Sequence, residues 1–506
     1  MTCKHLLNIT LSGYLPVGDS GQLYFIYYEA QDASDAAPIV LWLQGGPGCA
    51  SSFGSLYELG PRLVQPDLTL APNPGTWNRK AALLFIDQPV GTGFSTAGKR
   101  GVPENEMEMA ADLYAGLQRF FKLHPHLGLR PLIIAGESYA GKYVPSIGHL
   151  ILQQEAAAQE AKAGAGAGGD RQSRGATRIP IALKHTRPLP QDVLVGRPEV
   201  LEAPLFRLKG LIIVSGLTDP AAQVGTHAAV AHAMGLIDDH QRAQAEAMQA
   251  QVKRLVADGL WEEAHSLRGD LLGSIAGAAG AATLMDVRRS EDYDAGKTVD
   301  RFWNQDAIKE LLGVPTDLQY ESCSERVGEA LGRDVMKSVK YLIPDLLDAL
   351  PIFLVQGQHD IQDGPPSTEA WLRTLEWSGR AAFENATREV VRGRDVCSCA
   401  AACGLATGRA QAAGWVGAGA AAAMGSPHAL HSRALKAGLP LETGGAALGV
   451  ETVLCGGACQ GVVAYWKAHG ALTHAVVRDA GHMVPRDAPK AAQYLVERWL
   501  KGVLAG

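Results

Sequence analysis

Seven short apolar runs, each closed by small or polar residues, constrain this chain more than any other feature. They are "GQLYFIYYEA", "APIVLWLQ", "AALLFIDQP", "RPLIIAG", "FRLKGLIIVSG", "LPIFLVQGQHD" and "LTHAVVRDAGH". Their length and their β-branched and aromatic content predict strands. Helix-like stretches such as 106–123 lie between them. Strands alternating with helices predict an α/β fold with a mostly parallel central sheet and helices on both faces. Sites in such sheets form beyond the C-terminal ends of the strands. Between about 217 and 345 the strand pattern stops and helical patterns take over, which predicts an inserted helical cap. Residues 1–216 and 346–506 would then form the core. Two Ala/Gly-biased, low-complexity segments interrupt that core, at about 155–206 and 384–468. They carry too few large apolar groups to offset the entropy of ordering and are expected to be loop insertions.

The 506 residues suffice for a large buried core. With a net charge of −6 and no basic stripe, nothing points to a nucleic-acid partner. The longest strongly apolar runs are strand-length, so no membrane span is expected. The opening "MTCKHLLNITLSGYLP" lacks the features of a signal peptide, as in a cytosolic protein or one missing its natural beginning. Sequons at Asn8 and Asn385 point the other way, toward glycosylation. Of eight cysteines, Cys3, Cys49 and Cys323 are scattered, and Cys397, Cys399, Cys403, Cys455 and Cys459 cluster. The cluster's spacings match no common zinc pattern, so disulfides or idle thiols are expected rather than a metal. No cofactor is expected either.

The stretch "PLIIAGESYAGKYVP" (residues 131–145) runs from an apolar strand through a small-residue turn into a helical pattern. That is the setting of a nucleophile elbow, with Ser138 at its tip. The strict pattern asks for Gly at position 140, where this chain has Ala. Ser95, in the Gly-rich loop "GFSTA", is a competing serine with no strand directly before it. A serine nucleophile needs a base, and the base an orienting carboxylate. Asp360 and His482 each follow an apolar run, in the order Ser, Asp, His. Asp363 is a rival acid and His359 a rival base. The strand ending at Leu43 opens into Gly45-Gly46-Pro47-Gly48, whose backbone N–H groups could line an oxyanion site.

These segments resemble the serine carboxypeptidases, a family of α/β-hydrolase fold. The resemblance rests on "WLQGGPGCASSFGSLYELGP", "DQPVGTGFS", "GESYAGKYVP", "YESC", "GQHD" and "AGHMVP", and covers about 13–155, 205–383 and 470–502. Gln44 and "PVGTGFS" are most similar to the vitellogenic-like branch. The resemblance implies Ser138 as nucleophile, His482 as general base and acid, and Asp360 as its orienter. It implies an oxyanion hole formed by the N–H groups of Gly46 and Tyr139. Trp42, Gln44, Gly45 and Glu137 would hold the substrate's C-terminal carboxylate, with Glu58 hydrogen-bonded to Glu137. Cys49 and Cys323 match a family disulfide. It further implies a secreted or vacuolar/lysosomal enzyme that takes peptides with a free C-terminus. A monomer and a homodimer both stay open.

Two carboxyls beside a substrate carboxylate are a liability unless they share a proton, which one can then donate. An acidic optimum for peptides follows. Gln44 stands where the family usually has Asn, which keeps the amide donor. "VSG" at 214–216 replaces a usual Gly-Asn-Gly. Acyl transfer to an alcohol and a non-catalytic binding role are the alternatives. The retained carboxylate site argues against the first and the intact Ser, Asp and His against the second.

Overall fold

A computed structural model describes residues 7–32, 34, 36–166, 203–293, 295–393, 396 and 461–505. In chain order the strands are β1 (Leu11–Pro16), β2 (Gly21–Tyr28), β3 (Ile39–Leu43), β4 (Arg62–Val64), β5 (Leu70–Pro72), β6 (Ala82–Asp87), β7 (Thr96–Ala97), β8 (Pro131–Glu137), β9 (Arg207–Val214), β10 (Ile352–Gly357), β11 (Glu389–Arg392), β12 (Val462–His469) and β13 (Leu472–Val477). β4 and β5 form a separate small ribbon. The central sheet runs β1-β2-β6-β3-β8-β9-β10-β13-β12. Its middle, from β6 to β13, is parallel. The outer pairs β1–β2, β2–β6 and β12–β13 are antiparallel. All five residues of β3 and all six each of β6, β10 and β13 are buried, as expected of parallel strands covered on both faces.

The strand order reverses around β3. From β3 the chain crosses to β6 on one side, then returns to place β8 on the other. Crevices at such reversals collect ligands at the C-terminal strand ends. Leu43 pairs with Gly136, Glu137 with Val214, and Gly357 with Val477. The loops after β3, β8, β10 and β13 therefore leave the sheet at one edge.

The helix 106–123 buries Met109, Leu113, Tyr114, Leu117, Phe120 and Phe121 along one stripe. Asn105 caps it by accepting from the N–H groups of Met107 and Glu108. It packs beside the helix Ala140–Gly166 that leaves the Ser138 turn. Helices also dominate between Pro220 and Ala349, the longest being Asp239–Ala257 and Trp261–Ala279. A capping box of Asp238 and Gln241 opens the former, and Gly280 in the left-handed region closes the latter.

Contact density groups the sheet and these helices into one unit, Met1–Val390 with Val463–Gly506, and sets Val391–Val462 apart as a second. Almost all of the second unit, including the five clustered cysteines, lies outside the described residues, as does Cys3. The segments expected to be loops are partly regular. Residues 155–166 continue the helix from Ala140, because "AAAQEAKAG" is rich in strong helix formers. β11 and β12 fall within 384–468, and "VVAYWKAH" has the β-branched and aromatic content of a strand. Asn8 and Asn385 are exposed.

Cys49 and Cys323 form a disulfide across 274 residues of sequence. It ties the Gly45–Gly48 turn to the Tyr320–Ser324 segment, with Ala50 N donating to Ser322 O and Ser324 N to Gly48 O. Replacing both cysteines by serine is expected to lower unfolding stability by about 2–5 kcal/mol. Denaturant titration of the double variant checks this; an unchanged midpoint would contradict it.

Candidate active site

β8 runs straight into a left-handed residue: Ser138 has φ 63°. Its carbonyl accepts from Gly141 N at 2.8 Å and Leu217 N at 2.9 Å, and its N–H donates to Val214 O at 3.0 Å. The turn is thus fixed from both flanks, and Ser138 is half-buried while its neighbours Glu137 and Tyr139 are buried. The glycine the turn needs at its far side is Gly141, where a methyl group would lie 2.5 Å from Leu217 N. Ala140 fits because Gly136 leaves room opposite it; a methyl there would lie 2.6 Å from the Ala140 Cβ. The turn after β3 presses against the elbow. A methyl on Gly45 would lie 2.5 Å from Tyr139 N and 2.9 Å from Ser138 Cβ.

His482 and Asp360 meet in the loops after β13 and β10, with Nδ1 2.7 Å from Asp360 Oδ2. The acid loop is stitched to the histidine loop by Gln358 N to Val477 O and His359 N to Ala480 O. His482 N also donates to Met285 O, from the helical region. Burial opposes protonation of His482, but the Asp360 charge and hydrogen bond outweigh it and raise the imidazole above its ordinary value. Burial likewise raises the Asp360 carboxyl, and the imidazole only partly reverses this. The pair acts as one unit in which Asp360 fixes the ring. Nε2 of His482 is buried and has no hydrogen-bond partner among the described residues.

The rival residues are accounted for. Ser95 is buried, its hydroxyl donating to Asp87 O at 2.5 Å and accepting from Tyr24 N at 2.7 Å. Asp87, which the sequence reading passed over, accepts from the N–H groups of Ser52 and Phe94 and so ties this Gly-rich loop to the helix after β3. His359 is half-buried, and its backbone rather than its ring is engaged with the histidine loop. Asp363 is buried and donates its N–H to Asp360 Oδ1 at 3.0 Å.

Gln44, Glu58 and Glu137 form a buried cluster beside the elbow. Gln44 Nε2 donates to Glu58 Oε1 and to Glu137 Oε1, each at 3.1 Å. Trp42 is buried and its indole N–H donates to Gln44 Oε1 at 2.8 Å. It therefore orients the amide, and Gln44, Glu58 and Glu137 carry the polar groups. Burial raises Glu58 to about 7, although hydrogen bonds to Glu137 and Gln44 pull it down. Burial and then the Glu58 charge raise Glu137 well above the carboxyl range. The pair therefore holds at least one proton under mildly acidic conditions. The two carboxyls are also hydrogen-bonded to each other, the bond that a shared proton makes.

One further group behind the elbow was missed from the sequence. Lys142, fully buried, lies 2.9 Å from Asp334 Oδ2 and 3.9 Å from Glu106 Oε1, and 5.0 Å from the Tyr139 ring centre. Its partners come from remote parts of the chain, so no local pattern announces it.

A nucleophile elbow, a Ser-Asp-His order and their strand-end loops define a serine hydrolase of the α/β-hydrolase fold. The description "serine carboxypeptidase" belongs to the family whose sequence pattern matches residues 6–164, 190–418 and 455–502. Serine carboxypeptidase-like 50 of Arabidopsis thaliana is 37% identical over 393 residues, spanning 76% of this chain and 78% of that protein. A protein of Dictyostelium discoideum named probable serine carboxypeptidase CPVL is 32% identical over 381 residues, 74% of this chain and 67% of its own. Among solved structures, a prohormone-processing carboxypeptidase from Saccharomyces cerevisiae superposes with a TM-score of 0.68 at 20% identity, covering 97% of this chain and 91% of that one, and shows the shared fold. The chain belongs to the serine carboxypeptidase family.

The raised carboxyls give a stability signature. Both folded-state values lie above the ordinary 4.5, so their contribution is fully present below about 4.5; the Glu58 share is lost as pH rises through about 7, and the Glu137 share as pH rises through its own raised value. Glu137→Gln is expected to flatten this decline, because Glu58 then faces a neutral amide. Denaturant midpoints of wild type and variant across this range test it; parallel curves would contradict the coupling.

Proposed function

We propose that this protein removes C-terminal residues from peptides through an acyl-enzyme on Ser138, and that a protonated Glu58–Glu137 pair reads the substrate's free carboxylate. The observation that carries the reading is the buried Glu58–Glu137 carboxyl pair beside the elbow, bridged by Gln44 Nε2 and held above the ordinary carboxyl range by burial. Buried carboxyls resist ionising, and one that keeps its proton can donate it in a hydrogen bond to a substrate carboxylate.

In this mechanism Ser138 Oγ attacks the last peptide carbonyl while His482 Nε2 takes its proton and then delivers it to the leaving amine. Asp360 holds the Nδ1 proton and stabilises the imidazolium. The N–H groups of Gly46 and Tyr139 stabilise the oxyanion; neither donates to an acceptor among the described residues. Water, activated by His482, releases the peptide. As pH rises, the carboxyl pair ionises and repels the substrate carboxylate, so peptide hydrolysis favours acid. Acyl transfer to an alcohol gives no use for such a pair.

The helical region 217–345 acts as the cap that shapes the cleft. The Cys49–Cys323 disulfide supports an oxidising compartment, secreted or vacuolar/lysosomal. Among the described residues no helix is long and apolar enough to cross a membrane.

The test compares an N-blocked dipeptide with a free C-terminus and its C-terminal amide. For the free acid, kcat/KM should fall by about tenfold or more between mildly acidic and mildly alkaline pH, chiefly through KM. The amide should be a poorer substrate with a flatter profile. Ser138→Ala should lower kcat by about 10⁶-fold. Equal handling of acid and amide by active enzyme would refute carboxylate reading.

A further inference from the structure

Asp363, three residues past the triad acid, carries a buried charge that the mechanism above leaves unused. Its carboxylate accepts from Gln223 Nε2 and Gln362 Nε2, each at 3.2 Å, and lies 3.6 Å from the Arg268 guanidinium. Arg268 is itself almost buried, on the helix Trp261–Ala279. Gln223 is fully engaged: Oε1 accepts from Thr218 N at 2.8 Å and Asp219 N at 2.9 Å, and Nε2 also donates to Gly216 O at 3.1 Å. That same segment supplies Leu217 N to the Ser138 carbonyl. One polar strut thus runs from the nucleophile turn through Gln223 and Asp363 to Asp360.

We propose that Asp363 is a positioning residue for the triad: its N–H pins Asp360 Oδ1 while Gln223 and Arg268 clamp its carboxylate, so the helical region sets how Asp360 meets His482. The proposal rests on the catalytic reading of Ser138, Asp360 and His482. An Asp360 carboxylate held only through His482 could rotate about its own Cβ–Cγ bond. With Oδ2 on the imidazole and Oδ1 on Asp363 N, that rotation is blocked. Misplacing a catalytic group by about 1 Å can cost about 100-fold in rate.

The charge of Asp363 also reaches the base. His482 faces Asp360, Asp363 and Glu58, all of which favour its protonated form. Flanking it, Asp286 is paired with Arg288, and Asp487 accepts from Gly481 N and the Tyr293 hydroxyl. Around Asp363 the cation is Arg268. The neighbouring His227, whose Nε2 lies 3.0 Å from Gln362 O, is pushed down to about 4 by burial and Arg268, and so stays neutral. Removing the Asp363 charge should therefore let His482 lose its proton at lower pH.

The experiment measures the pH dependence of Ser138 labelling by a fluorophosphonate probe, which reports the serine and its base for any leaving group, beside kcat and KM for the blocked dipeptide. Asp363→Asn should move the acid limb down by about one pH unit. Its kcat should fall about tenfold or more with KM nearly unchanged. Arg268→Gln, which keeps the Asp363 charge, should not lower the limb. If Asp363→Asn fails to fold, the double variant Asp363→Asn/Arg268→Gln leaves neither charge without its partner and should still show the lowered limb. A folded Asp363→Asn or double variant with the wild-type limb and kcat overturns the proposal, as does wild type that resists labelling. Wild type that labels normally yet cleaves no peptide instead sinks the carboxypeptidase reading, and the labelling profiles still decide the role of Asp363.

Discussion

Everything at this site depends on how closely two backbone turns approach at the edge of the sheet. The turn after β3 lies against the turn after β8, so close that Gly45 has no room for a side chain beside Tyr139 N and Ser138 Cβ. The approach follows from the registered pairing of Leu43 with Gly136 and from the strained φ of Ser138. It brings Ser138, the candidate oxyanion donors and the Gln44–Glu58–Glu137 cluster into one small volume. Backbone strain of this kind costs on the order of 1–3 kcal/mol and persists only where the surroundings fix it. Here the bonds from Leu217, Gly141 and Val214 do so.

Around this junction, among the described residues, sit buried charge systems with different chemistry. In the proposed mechanism His482–Asp360 moves a proton. Glu58–Glu137 is arranged to keep one, since burial and mutual repulsion both disfavour ionising it fully. Lys142–Asp334 is an ion pair behind Tyr139 that fastens the elbow helix to a segment near the end of the helical region, and Lys142 also donates to the Asp334 carbonyl. The helical region therefore contacts the catalytic strands through polar struts as well as apolar packing, at Asp334, Arg268, Gln223 and Met285.

The seven apolar runs were legible as strands because parallel strands buried on both faces are nearly continuous in β-branched and aliphatic residues. Ser138, Asp360 and His482 were legible because each follows such a run, and geometry brings Asp360 and His482 into contact. Less legible were features set by residues far apart in sequence. Asp363 read as a rival acid because its partners lie far off in sequence, Gln223 140 residues and Arg268 95 residues away. Ser95 read as a rival nucleophile because its partners, Tyr24 and the Asp87 carbonyl, are backbone atoms. Trp42 was grouped with the carboxylate-binding residues, yet its indole N–H is engaged by Gln44. Composition alone also hid the helix that continues to Gly166 and the strand β12 within segments biased toward Ala and Gly.

The central claim is that a protonated carboxyl pair reads a substrate carboxylate. The most direct measurement is calorimetric binding of an N-blocked dipeptide to the Ser138→Ala protein, in two buffers of different ionisation enthalpy, slightly above the value of about 7 for Glu58. Binding of the free acid should take up a substantial fraction of a proton, because Glu58 is only partly ionised beforehand, and binding of the C-terminal amide should take up none. Equal proton uptake by acid and amide, or none by the acid, would contradict the account.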